Sequence, residues 1–272
     1  MKSKQDLTVG NINKKLWVFA IPLMLGNVMQ QFYNLVDTWV VGKYIGDNAL
    51  AAVGSSYSLM TFLTSVILGL CLGSSAFLSM AYGKKNQDLI RNGIFISAVM
   101  IGSLAVILTG IIYIWMNPMI RLLQVPQETT AAMREYLFYV FIGFFATFLY
   151  NYVANVLRGI GNSVTPLFFL GISVILNIFL DLYFVLVLHM GIKGAAVATV
   201  IAQYVSGIGI TLYVLLKCRD LLPSRLTPLP IFRCRISVML TLLLLHRTTV
   251  PVKKIVSAKE QRNPSCSVLF SV

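Results

Sequence analysis

The chain has 272 residues, of which 57% are hydrophobic and 11% charged, and its mean hydropathy is +0.81. That balance excludes a water-soluble globular domain of ordinary composition. A formal net charge of +13 raises nucleic acid as a partner, but no aromatic-basic binding surface accompanies the cations, and nucleic acid is excluded on that ground.

In a bilayer only helices or closed barrels satisfy every backbone hydrogen bond, and the apolar runs here are long and continuous rather than short and alternating. The fold class is therefore all-α, a polytopic membrane protein. About 20 apolar residues cross the hydrocarbon, and six stretches qualify. The first, 16–41, is too long for a removable signal peptide and lacks a small-residue cleavage site. It carries Pro22, which predicts a kink, and a polar series, Asn27, Gln30, Gln31, Asn34 and Asp37. At about 100° per residue that series shares an arc of roughly 120°. Such an arc belongs against protein or a wet cavity.

The second stretch, 56–82, contains Ser65, Gly69 and Gly73 at one-turn spacing, which predicts close helix packing. The third is 94–115 and the fourth 136–156. After it, the "GIG" of residues 159–161 lacks a preceding strand and reads as a turn rather than a nucleotide loop. The fifth, 167–188, holds "SVILNIFLDLYFV", which places Ser173, Asn177 and Asp181 one turn apart; the sixth, 194–216, places Thr199 and Gln203 one turn apart. His189 and Lys193, between the two, read as solvated interface residues. Tyr33, Tyr150, Tyr152 and Tyr183 read as packing or interface anchors, with stacking on a cation as the alternative.

Residues 226–272 differ in kind. They hold Pro at four places, seven Lys or Arg against one Glu, and an apolar core too short to span. A disordered basic tail, a shifted reading frame and a short interfacial helix all fit. The expected organisation is a six-helix unit over 1–225 and this atypical tail. Four cysteines, Cys71, Cys218, Cys234 and Cys266, include no CxxC, so neither a disulfide framework nor a zinc site is expected.

Lys and Arg set the orientation. The first terminus (Lys2, Lys4, Lys14, Lys15), the second link (Lys84, Lys85, Arg91), the fourth (Arg158) and the segment after the sixth span (Lys217, Arg219, Arg225) hold eleven, against four (Lys43, Arg121, Arg134, Lys193) on the alternate side. The N-terminus is thus expected in the cytoplasm of a multi-pass protein of the inner (plasma) membrane. Counted from the span ends at about 1.5 Å per residue, Asp37, Asp181 and Thr199 lie about 6, 10 and 8 Å deep. Three polar foci from different helices share one level.

Of the nine acidic residues only Asp37 and Asp181 fall inside the spans, where a carboxylate costs roughly 2.5–3.5 kcal/mol on insertion scales. An apolar bundle disfavours the bare anion, so such a group holds a proton or binds a cation; two carboxylates with amide and hydroxyl oxygens also suit Na⁺. The alternative is that each Asp only joins helices through a hydrogen bond. Nothing resembles a nucleophile–base pair, a metal-ligand cluster or a phosphate loop, so no enzyme and no cofactor are expected.

Three segments, "FAIPLMLGNVMQQFYNLVDTWVVGKYIGDNALAAVG", "LRGIGNSVTP", and "ILNIFLDLYFV" followed by "GIKGAAVATVIAQ", resemble the multidrug and toxic compound extrusion (MATE) transporters, in their bacterial multidrug-efflux branch, over about residues 10–225. The resemblance implies the N-terminal six-helix lobe of a two-lobe, twelve-helix antiporter. It exports small organic, often cationic, compounds in exchange for H⁺ or Na⁺. It further implies that Asp37, Asn177, Asp181 and Thr199 bind the coupling ion, with Gln30, Gln31, Asn34, Asn155 and Gln203 lining the cavity. Because the family carries two lobes, the chain is expected to need a second lobe or a homodimer partner. The alternative is a non-transporting membrane component or an inactive remnant, and a lipid-precursor flippase is a third option.

Overall fold

The computed structural model describes residues 12–123 and 125–218, all within the unit Met1–Leu222. Residues 226–272, read above as an atypical tail, lie outside the described residues. The elements are α1 (Ile12–Tyr44), α2 (Asp47–Gly83), α3 (Gln87–Leu122), α4 (Gln127–Ile142), α5 (Phe144–Gly159), α6 (Val164–Leu182) followed by a π-turn (Tyr183–Val187), and α7 (Gly191–Lys217). The described residues form an all-α bundle. Five stretches, α2, α3, α4 with α5, α6 with its π-turn, and α7, are long and apolar enough to cross a membrane. α1 falls outside that set, consistent with the polar series along it, yet it is long enough to span. Counting α1, six spans result, as the sequence predicts.

The elements begin and end where their chemistry dictates. The Asn86 side chain accepts from the Leu89 N–H at 3.0 Å and caps α3. Pro126 supplies the extended residue before α4, and its carbonyl accepts from Thr129 N at 3.0 Å. α5 ends in a turn through Gly161, whose φ of +88° suits glycine, so the 159–161 segment is the turn expected. Links this short force successive spans to run antiparallel.

The span α4–α5 lies in the middle: α4 and α5 both pack on α2 and both on α7. α3 covers α2 and α5, and α1 lies mainly on α6. Glycines permit several of these close contacts. A Cβ at Gly159 would come within 2.9 Å of Ser75 O, one at Gly207 within 2.9 Å of Ala146 O, and one at Gly93 within 2.8 Å of the Phe77 ring. The stripe at Ser65, Gly69 and Gly73, expected to pack a neighbour, is instead exposed on the outside of α2, with nothing near Gly69. One-turn spacing identifies a shared face but not whether another helix covers it. Large apolar side chains such as Trp17, Leu35, Phe62, Ile114 and Phe168 also point outward, which in a membrane protein is the lipid-facing surface.

A paired-carboxylate site between α1, α6 and α7

Asp37 reaches the interior from α1 and Asp181 from α6, the two helices that lie on one another. Asp181 is fully buried and Asp37 nearly so. They are close enough for the charge of Asp37 to act on Asp181. Both also act on Tyr33, one turn before Asp37, and on Tyr136 of α4. Asn177 stands one turn before Asp181, and Thr199 of α7 faces it; both are buried.

Thr199 organises the neutral partners. Its Oγ1 accepts from Tyr33 Oη at 3.4 Å and from Asn177 Nδ2 at 3.3 Å. Two accepted bonds occupy both lone pairs, leaving the hydroxyl proton to donate elsewhere. Four buried oxygens, Asp37 Oδ1, Asp181 Oδ1, Asp181 Oδ2 and Asn177 Oδ1, have no hydrogen-bond partner among the described residues. All are acceptors. A group of that kind takes protons or a hard cation, because an unpaired buried acceptor forfeits its full hydration.

Beside this pair lies a cavity of about 60 Å³. Asn177 and Thr199 line it, as do Gln30 and Gln203. Asp37 and Asp181 are not themselves among its lining residues; they sit one turn beyond Tyr33 and Asn177. Three further expectations differ. Gln31 is outside the lining, because it lies 100° around α1 from Gln30. Asn34 is half-buried and outside the lining, its carbonyl accepting from Thr38 Oγ1 at 2.8 Å. Asn155 faces α2, where its carbonyl accepts from Ser75 Oγ at 2.7 Å and its side chain donates to Asn151 O. Asn151, one turn earlier on α5, occupies the place foreseen for it.

Tyr136, Thr147, Asn151 and Ser206 were not foreseen. Tyr136 begins the fourth apolar stretch and carries a hydroxyl into it, which is the only signal the sequence offers. Tyr33 and Tyr150 both line the cavity, whereas Tyr152 packs toward α3, with its hydroxyl bound to Ile94 O at 2.6 Å. Lys193, read as solvated, rests its ammonium 5.1 Å over the Tyr139 ring.

Residues 22–183 match the family model MatE. The chain is 35% identical over 205 residues to the probable multidrug resistance protein YpnP of Bacillus subtilis, covering 73% of this chain and 44% of that protein. It is 29% identical over 222 residues to the probable multidrug resistance protein NorM of Thermotoga maritima, covering 77% and 46%. Among solved structures, a MATE chain in complex with MaD3S superposes with a TM-score of 0.74 at 27% identity, covering 90% of this chain and 55% of that one. The chain thus spans about half the length of the curated relatives it matches. With an all-helical lobe and a family model covering most of its spans, the chain belongs to the MatE family of multi-pass membrane transporters.

Proposed function

We propose that this chain is the ion-coupling lobe of an antiporter that exports small organic cations across the cell's inner membrane in exchange for H⁺ or Na⁺. The observation that carries this reading is the set of four buried acceptor oxygens without partners at Asp37, Asp181 and Asn177. A transporter needs a site that is satisfied only when loaded. Two carboxylates within reach of each other's charge hold a proton or Na⁺ in one state. When the ion leaves, they present negative charge to an organic cation entering beside Tyr33. Ion and substrate then compete for the same charge, which is what exchange requires. The multidrug names of YpnP and NorM support the substrate class.

Thr199 and Asn177 hold the neutral side of the site, and Tyr136 closes it from α4. The distribution of Lys and Arg supports a cytoplasmic N-terminus. Residues 1–225 supply one six-helix lobe, and a second lobe, or a second copy, supplies the opposing wall that alternating access needs.

The test is export by the chain joined to a second MATE lobe in a drug-sensitive host. Asp181→Asn keeps the shape and removes the exchangeable charge. Ion-driven export is expected to fall to the level of cells without the transporter, with the protein still in the membrane. Unchanged export in both Asp181→Asn and Asp37→Asn overturns the reading.

A further inference from the structure

The cavity beside the carboxylates holds about 60 Å³, room for a few water molecules at about 10–15 Å³ of such space each. A small substituent fits there. The cavity walls carry uncharged hydrogen-bonding groups from four helices, among them Thr147, Asn151, Asn177, Gln203 and Ser206. Two of these, Asn177 and Gln203, have a buried amide oxygen with no partner among the described residues.

Gln203 meets the fourth span at a break in its helix. The span α4–α5 breaks at Gly143, whose N–H turns back to Val140 O at 2.9 Å, a three-residue step in place of the α-helical four. The next residue on α7, Tyr204, donates to the Ile142 carbonyl beside the break at 3.0 Å. The Gln203 amide then drops onto Gly143 itself: a Cβ there would come within 2.5 Å of Gln203 Oε1. A side chain at 143 would have to push that amide aside, so glycine leaves the amide its place.

Resting on the exporter reading above, we propose that Gln203 is a specificity-determining residue. With Asn177 it forms an amide-lined subsite that selects organic cations carrying a small N–H or O–H substituent. The cationic body of the substrate stays outside, toward Tyr33 and the exposed Gln30, and only the substituent enters. A site built to hydrogen-bond such a group rejects the analogue without it, because its own buried polar groups are then left unpaired.

The experiment measures equilibrium binding of two probes to the full 272-residue chain in lipid nanodiscs. The probes are ethidium, whose ring carries two primary amines, and the analogue lacking both. The wild-type chain is expected to prefer ethidium. Gln203→Met, similar in volume and without an amide, is expected to lower that preference about fivefold, the effect of one hydrogen bond. Gly143→Ala, which unseats Gln203 without changing it, is expected to lower it in the same direction, and Gln203→Asn to retain part of it. A preference ratio unmoved by both Gln203→Met and Gly143→Ala overturns the subsite while leaving the exporter reading intact. Failure of the wild-type chain to bind either probe, with Asp181→Asn no different, overturns both. A variant that loses folding shows equal loss for the two probes, and equal loss in all three variants also counts against the subsite.

Discussion

Two buried polar clusters sit in the same bundle and are built to opposite rules. Between α3 and α5, Tyr152 Oη donates to Ile94 O at 2.6 Å, and Ser97 Oγ lies 2.8 Å from that hydroxyl and 2.6 Å from Gly93 O. Every side-chain polar atom there has a partner. Between α1 and α6, Asp37 and Asp181 leave three carboxylate oxygens without one. Both clusters are enclosed by apolar helices, so burial alone does not distinguish them. Satisfaction does. The first is complete as folded and joins two helices; the second leaves acceptors unpaired, which supports the proposal that it is the working site.

The largest effect that separates the clusters concerns transport. In a two-lobe protein carrying this chain, Asp37→Asn or Asp181→Asn should reduce ion-driven export to background, whereas Tyr152→Phe should leave export close to that of the parent at equal expression. Uptake of a fluorescent cation into inverted vesicles checks both. If Tyr152→Phe abolishes export as completely as Asp181→Asn, the division between a joining cluster and a working cluster fails.

A second measurement follows the exchange itself. Adding an organic cation to the purified chain in weakly buffered solution should release protons, of the order of one per site, if carboxylates holding H⁺ give way to the substrate. In Asp181→Asn the release should disappear, and in Tyr152→Phe it should persist. Release that is instead replaced by displacement of bound Na⁺ identifies Na⁺ as the coupling ion at the same residues.

Much of this division is legible in the sequence. Helices 16–41 and 167–188 announce themselves by apolar length, and a carboxylate one or two turns from an amide in each is too costly to be incidental. The spacing of Asn177 and Asp181 is fixed by the helix and survives intact. What spacing cannot supply is the direction of a face. Gln30 and Gln31 are neighbours in sequence and both exposed, yet only Gln30 borders the cavity, because the packing of α1 on α6 sets the rotation of the helix. Asn155 also lies outside the lining: α5 is flanked by α2 and α7, and the Asn155 side chain donates to Asn151 O within α5.

The break at Gly143 was faint in the sequence for a different reason. Gly143 is the lone stop signal in "YVFIGFFATF", and neither proline nor a run of polar residues accompanies it. The cause lies 60 residues on, where Gln203 and Tyr204 of α7 meet the backbone of the fourth span. Tyr136 likewise becomes part of the carboxylate site through tertiary contact. A single hydroxyl at the head of an apolar run reads as an interface anchor until its neighbours are known.

A third, smaller effect is one of sign in stability. Tyr152→Phe removes a hydroxyl that is fully used and leaves Ile94 O and Ser97 short of a partner, so it should destabilise the chain by about 1 kcal/mol. Asp181→Asn replaces an unsatisfied acid by a neutral group of the same shape and should leave stability unchanged or raise it by a similar amount. Thermal unfolding of the purified chain in detergent, in the absence of substrate and Na⁺, compares the two. A marked destabilisation by Asp181→Asn would mean that its carboxylate is a structural joint after all.

The smallest expected effect is a coupling energy, and it tests the comparison at the level of pairs. Ser97 and Tyr152 share a bond and neighbouring acceptors, so each is worth less once the other is gone. The double variant Ser97→Ala with Tyr152→Phe should lose less stability than the sum of the singles, by about 0.6 kcal/mol, the average for hydrogen-bonded pairs between membrane helices. Asp37 and Asp181 repel when both are ionised, so in alkaline, sodium-free buffer the first Asn relieves the second carboxylate. The Asp37→Asn, Asp181→Asn pair should then gain less stability than the sum of its singles. The two cycles thus deviate from additivity in opposite directions, one showing attraction and the other repulsion. Attraction measured in both would mean that the carboxylates share a bond in the absence of any ligand, and the contrast between a finished and an unfinished cluster would dissolve.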